Sequence, residues 1–120
     1  MTQHTDLPSE ALPTTVRDFM AAHAAGEHDT ASTFFTEDVV LVDVGDTIRG
    51  REQVHAFLRE AGARFRTTTE QIGARRVDAA HAVVTVRLTG DFPGGVVELD
   101  YRFTLRDGLV AELVIAGHDV

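Results

Sequence analysis

The sequence predicts an α+β fold: a curved antiparallel sheet, closed on one side by three helices from the N-terminal half, forming a cone-shaped barrel. Three observations predict it. The first half of the chain carries apolar residues at helical spacing in three segments. The second half switches to alternating apolar and polar residues in four runs separated by short turns. Helices segregated beside one antiparallel sheet define the α+β class, and a sheet of long strands twists and curls, so helices laid against it enclose an interior.

The elements follow in order. Residues 1–8 are polar and aperiodic and read as a disordered tail, with a single domain over 9–118. From Ser9 to Ala25, the residues Leu12, Val16, Phe19, Met20 and His23 fall on one helical face; Gly26 supplies the stop, and Pro13 requires a place in the first turn. Asp29 reads as the N-cap of a short second helix with Ala31, Phe34 and Phe35 on its apolar face. A strand over Val39–Val44 and a turn at Gly45-Asp46 lead to a short extended piece around Ile48. Gly50 opens the third helix, in which Val54, Phe57, Leu58, Ala61 and Phe65 form the apolar stripe. Four strands complete the chain, at Thr67–Val77, His81–Asp91, Val96–Arg106 and Leu109–Gly117, joined as an antiparallel meander.

Alternation assigns faces. In β-register, Val97, Leu99, Tyr101, Phe103 and Leu105 point inward, because a slip of one residue would bury Glu98, Asp100, Arg102, Thr104 and Arg106 instead. Ala82, Val84, Val86 and Leu88 likewise face the interior, and Leu109, Ala111, Leu113 and Ile115 are the favoured inner set of the last strand. Tyr101 is thus an inward phenol. In the opening strand, Asp43 shares a face with Val39 and Leu41, while Val40, Val42 and Val44 form the other. Both faces are apolar, so alternation leaves two readings open: an inward carboxylate, or a solvated one at the strand end. An inward carboxylate would have its pKa raised by burial, as a general base needs.

Composition removes several classes of function. The chain has 120 residues, 43% of them hydrophobic, and a formal charge of −8 from 19 acidic and 11 basic residues. Such a balance gives no general attraction to phosphate backbones or anionic lipid, so neither nucleic acid nor membrane is expected as a partner. Arg75-Arg76 and the set Arg64, Arg66 are the only local basic concentrations and read as solvated strand edges. No run approaches the roughly 18 apolar residues of a membrane span, and the N-terminus lacks signal-peptide character, which makes cytoplasmic the expected location. There is no cysteine, and none of the six histidines pairs at metal-ligand spacing, so no metal and no cofactor are expected. His4, His28 and His81 are placed in tail and turns, His55 on the surface near Arg59, and His118 at the cavity mouth or the chain end. No phosphate loop or serine-nucleophile pattern is present.

The stretch FFTEDVVLVDVGDTIRGREQVHAFL, residues 34–58, resembles the signature region of the nuclear transport factor 2-like superfamily, in particular its SnoaL-like polyketide cyclase and ketosteroid isomerase branch. The matching features are Phe35, Glu37-Asp38, Asp43 at the strand end and Gly50-Arg51-Glu52-Gln53 opening the helix; AAGEHD at the end of helix one fits as well. The resemblance runs from about Pro13 to Gly117 and implies the cone-shaped fold.

The resemblance also implies that Asp43 stands where ketosteroid isomerases hold their proton-shuttling base, facing an oxyanion hole. The helix-one tyrosine of that oxyanion hole corresponds here to Phe19, which has no hydroxyl, and its protonated aspartate corresponds by strand register to Tyr101. The candidate catalytic set is therefore Asp43, Tyr101 and, one helical turn beyond Phe19, His23. The expected substrate-binding residues are Val16, Phe19, Phe35, Leu41, Phe57, Val86, Leu99, Phe103 and Leu113.

Two functions remain. One is a small-molecule enzyme moving a proton alpha to a carbonyl, of isomerase, cyclase or dehydratase type, on a hydrophobic metabolite. The other is a noncatalytic ligand-binding or dimerisation domain, favoured by Phe19 and by a polar sheet face on which a homodimer could form, as in other members of the superfamily.

Overall fold

A computed structural model describes residues 12–43, 45–64 and 66–118, without the Arg64 side chain. The expected tail, the expected helix start at Ser9, Val44 and Phe65 lie outside these residues. The elements are α1 (Thr14–Ala24), α2 (His28–Ser32), β1 (Phe35–Asp43), β2 (Asp46–Arg49), α3 (Arg51–Arg64), β3 (Thr67–Arg76), β4 (His81–Gly90), β5 (Val96–Arg106) and β6 (Leu109–Gly117). Among the described residues, no helix is long and apolar enough to cross a membrane.

All six strands form one mixed sheet in the order β2-β1-β6-β5-β4-β3. Strands β3 to β6 are the expected antiparallel meander. β1 returns beside β6 and pairs with it in parallel, so the sheet is antiparallel at every junction but one. Parallel pairing requires a crossover, and here the chain between the two strands passes through β2, α3 and the meander.

Pro13 occupies the N-cap position of α1, where its missing N–H removes no intrahelical bond. The second helix departs from expectation at both ends. Glu27 rather than Asp29 is at the N-cap, and Asp29 sits in the first turn, where a carboxylate is favoured by the helix dipole. The Thr33 hydroxyl donates to Thr30 O at 2.6 Å beside the helix end, and Phe35 belongs to β1 instead of to the helix face. Pairing with β6 draws it out: Val110 N–H donates to Phe34 O at 2.7 Å, and Phe35 registers with Val110.

β6 also differs from simple alternation. Thr104 pairs with Glu112 but Leu105 with Val110, so Ala111 is an extra residue in the ladder. The bulge turns Val110 inward in place of Leu109 and Ala111, while Leu113 and Ile115 keep their inner positions. On the outer face, Arg87 pairs with Glu98 at 3.1 Å and Glu70 at 3.4 Å. Asp100 was expected to be solvated there, yet it is 8% exposed, accepts the Thr85 hydroxyl at 2.6 Å and contacts His118 Nδ1 at 3.0 Å. Burial alone would raise its pKa, but the Thr85 and His118 hydrogen bonds hold it below the usual carboxylate range.

Strand register sets the depth of the interior as well as its face. One row across the sheet is Leu41, Leu113, Phe103 and Ala82, all fully buried. Phe19 from α1 packs over this row, its ring tilted against Phe35 at a centroid distance of 5.3 Å and edge-on to Phe103 at 5.6 Å. This cluster plugs the narrow end of the cone. Phe35→Ala is expected to destabilise the protein by about 3–5 kcal/mol, the usual loss for deleting a fully buried aromatic, read from the urea midpoint at constant slope.

Candidate functional site

The next row toward the wide end reads Asp43, Ile115, Tyr101, Val84 and Ala74. Asp43 and Tyr101 therefore flank Ile115 on the inner face, two strand spacings or roughly 10 Å apart at the backbone. Val39 and Leu41, on the same side of β1 as Asp43, are fully buried, which settles its direction: the carboxylate points into the interior.

Above this row the interior is open. A cavity of about 990 Å³ is walled by Asp43, Ile115, Tyr101, Leu99, Val97 and Leu88 from the sheet. The helices contribute His23, His28, Leu58 and Ala61, and the mouth is formed by Arg66, Thr67, Asp91, Phe92 and Pro93. All three candidate catalytic residues line it.

The expected wall is corrected at most positions. Of the nine residues named for substrate binding, Leu99 lines the cavity, while Val16, Phe19, Phe35, Leu41, Val86, Phe103 and Leu113 are packed core at 0–1% exposure. Phe57 packs against the core from outside the cavity lining. Six of them lie level with the Phe19 plug or below it, and Val86 stands higher but is completely covered. His28, expected in a turn, instead lines the cavity against α3, where Gly62 makes room for it: a Cβ at position 62 would stand 2.9 Å from His28 Nε2. His118 is on the outer face with Asp100, away from the cavity. His55 approaches Asp29 at 3.0 Å, and His81 contacts Asp78 at 2.8 Å.

The electrostatics of the three polar groups are unequal. Desolvation, with Asp46 nearby, raises the pKa of Asp43, and no described residue donates a hydrogen bond to its carboxylate. Burial, reinforced by the Asp43 charge, raises that of Tyr101, so its phenol stays protonated at any physiological pH. His23 is lowered to about 4, mainly by burial and then by His28, and is neutral at pH 7.

His23 Nε2 and the Tyr101 hydroxyl are 3.0 Å apart. The other ring nitrogen, Nδ1, is buried without a hydrogen-bond partner among the described residues. A buried N–H without an acceptor is rarer than a bare lone pair, which assigns the proton to Nε2. His23 then donates to the phenol oxygen, and the Tyr101 O–H is left to donate into the cavity.

The low pKa of His23 has a consequence for stability. Its unfolded value is near 6.5, so between about pH 6.5 and 4 the unfolded chain binds the extra proton and the folded one does not; stability falls on acidification through that window. Wild type should lose roughly 2 kcal/mol between pH 7.5 and 5 relative to His23→Phe, measured by denaturant unfolding at each pH.

Comparison with known proteins agrees with the fold. The model of the SnoaL-like domain matches residues 16–113. The chain belongs to the SnoaL-like family. Among solved structures, this SnoaL-like protein superposes with a TM-score of 0.84 on a Sinorhizobium meliloti protein provisionally assigned as a polyketide cyclase, at 30% identity over 92% of this chain and 100% of that one. A Kribbella flavida protein provisionally assigned as a ketosteroid isomerase gives a TM-score of 0.78 at 16% identity, over 90% of this chain and 78% of that one. A Mycobacterium tuberculosis protein in complex with estradiol-17beta-hemisuccinate gives 0.74 at 18% identity, over 88% and 92%. These last two share the nuclear transport factor 2-like fold with the SnoaL-like chain. No curated protein sequence matches it.

Proposed function

We propose that this SnoaL-like protein is an enzyme that moves a proton alpha to a carbonyl of a hydrophobic small molecule, with Asp43 as the base and Tyr101 as the oxyanion donor. The observation that carries this is the shared row: a carboxylate with a raised pKa and no hydrogen-bond donor among the described residues, and an oriented phenol, stand on either side of Ile115 at the floor of one cavity.

The steps follow from the two groups. Asp43 takes the proton from carbon, the C–H electron pair moves into the adjacent C–C bond, and the carbonyl π electrons move onto oxygen. Tyr101 donates its hydrogen bond to that oxygen, in a walled site where such a donor is worth far more than in water. Where the ketone is unsaturated, the resulting dienolate takes the proton back from Asp43 at its gamma carbon, which is isomerisation; otherwise the enolate carbon attacks a second carbonyl and the alkoxide formed takes the proton from Asp43, which is aldol closure. His23 keeps the phenol proton pointing at the substrate and, being neutral, does not transfer one itself. The family match and the neighbour provisionally assigned as a polyketide cyclase support this class.

The alternative is a ligand-binding domain of the same fold. Phe19 favours it, since the residue replacing a hydroxyl donor is fully buried in the plug. Exchange of alpha protons for deuterium, followed by NMR over a panel of apolar ketones, separates the two. Uptake catalysed by wild type and lost in Asp43→Asn supports the enzyme; binding of the same ketones without uptake overturns it.

A further inference from the structure

The cavity is polarised along its length. Asp43 and Tyr101 stand at the floor. At the mouth, Thr67 pairs with Gly90, six residues along β4 from Val84 in the Tyr101 row. At about 3.3 Å per residue, the mouth lies roughly 20 Å from the floor along the strand. Leu99, Val97 and Leu88 occupy the intervening sheet wall with the Thr69 hydroxyl beside Leu88, so the middle of the cavity is mostly apolar and carries no charged side chain among the described sheet residues.

Arg66 stands at that mouth. Its backbone is fixed on both sides: its N–H donates to Asp91 Oδ1 at 2.8 Å, and its carbonyl accepts from the Asp91 N–H at 3.2 Å. Gly90 permits this approach, since a Cβ there would lie 2.5 Å from the Arg66 carbonyl oxygen and 3.0 Å from Phe92. The guanidinium forms no ion pair with any described residue and is exposed. Among the described residues lining the cavity, it is the one arginine or lysine. The remaining fixed charges there are the carboxylates of Asp43 and Asp91, and Asp91 already accepts from the Arg66 backbone.

The geometry points to an elongated apolar carbonyl compound with a carboxylate or similar anionic group at its far end, bound by Arg66 at the mouth. This rests on the proton-transfer reading and names its substrate class. The charges also fix the orientation. The carboxylate of Asp43 repels an anion from the floor, Arg66 attracts it at the rim, and the carbonyl is thereby left at Tyr101. A guanidinium presents paired N–H groups that match a carboxylate, and covering by the ligand strengthens the contact. In a chain of formal charge −8, the interaction must be local and salt-sensitive.

The test uses two probes with one skeleton: a polycyclic ketone carrying a carboxylate on a short tether, and its methyl ester, titrated calorimetrically into the full chain at low salt. The acid is expected to bind about tenfold more tightly than the ester, in keeping with a charge-assisted hydrogen bond at a partly exposed site. In Arg66→Gln the two should bind equally, with ester affinity unchanged, and raising the salt should shrink the wild-type preference. Equal binding of acid and ester by wild type, a preference that survives in Arg66→Gln, or failure of both probes to bind overturns the assignment. The outcome is independent of turnover. Asp43→Asn should keep the preference for the acid, whereas deuterium uptake from neutral ketones without any such preference would leave the proton-transfer reading standing and remove this one.

Discussion

Replacing Asp43 with asparagine is expected to lower the rate of alpha-proton exchange by about 10²–10⁴-fold, the usual contribution of a positioned general base. Asparagine keeps the size and polarity of the side chain but cannot accept the proton. Substrate affinity should change little, so the loss falls on kcat. No loss of stability is expected to accompany this result, because the sign of the pKa shift predicts the opposite. A carboxyl whose folded pKa is raised binds its proton more tightly in the folded state, so stability declines as pH rises through the window between the unfolded value near 3.8 and the higher folded one. Where Asp43 is ionised it therefore opposes folding, and Asp43→Asn should melt at the same temperature as wild type or higher. The rate profile carries the same signature: activity should rise with pH on a limb displaced above the ordinary aspartate range. A limb at or below that range, or a variant that retains its rate, would falsify the role of Asp43.

Tyr101→Phe should lower the same rate by about 10²–10³-fold, the scale of removing one preorganised donor from an oxyanion site. The effect is large because the phenol has few substitutes. Phe19 supplies no hydroxyl at the helix-one position, and His23 is oriented toward the phenol rather than toward the substrate. Deleting the hydroxyl leaves the ring packing with Phe103, at a centroid separation of 6.4 Å, in place. It also strands the His23 Nε2–H, which either loses its acceptor or turns to the ligand. A drop in kcat without a matching loss of affinity identifies Tyr101 as a transition-state donor; a rise in KM alone would mean that it serves only to hold substrate.

How much of this was legible in sequence depends on which coordinate is asked for. The face on which a strand residue lies follows from alternation, and that was enough to put Tyr101 inside and to group Asp43 with Val39 and Leu41. The fold class and nearly every strand boundary came from the same signal. Height along the cone did not. Leu41, Phe103 and Leu113 have the same inward pattern as Leu99 and Val97, but one row of register separates plug from wall, and register depends on pairings between distant strands and on where Phe19 lands. The β6 bulge, which exchanges Leu109 and Ala111 for Val110, answers to the join of a parallel and an antiparallel ladder on one strand, which no local pattern encodes. Arg66 read as a solvated strand-edge arginine because the clamp that fixes its backbone at the mouth joins it to Asp91, in a different turn. His28 was equally hidden, since its place in the wall depends on Gly62 being small.

The chain contains one tyrosine and no tryptophan. Its tyrosine fluorescence and the tyrosine component of its dichroism therefore arise from a single ring, and that ring is Tyr101, buried at the cavity floor and hydrogen-bonded to His23. A molecule that reaches the cavity floor alters the surroundings of the one tyrosine the protein has. The same side chain proposed to hold the reacting oxygen thus serves as a built-in optical probe, able to report occupancy of the cavity floor in unlabelled protein.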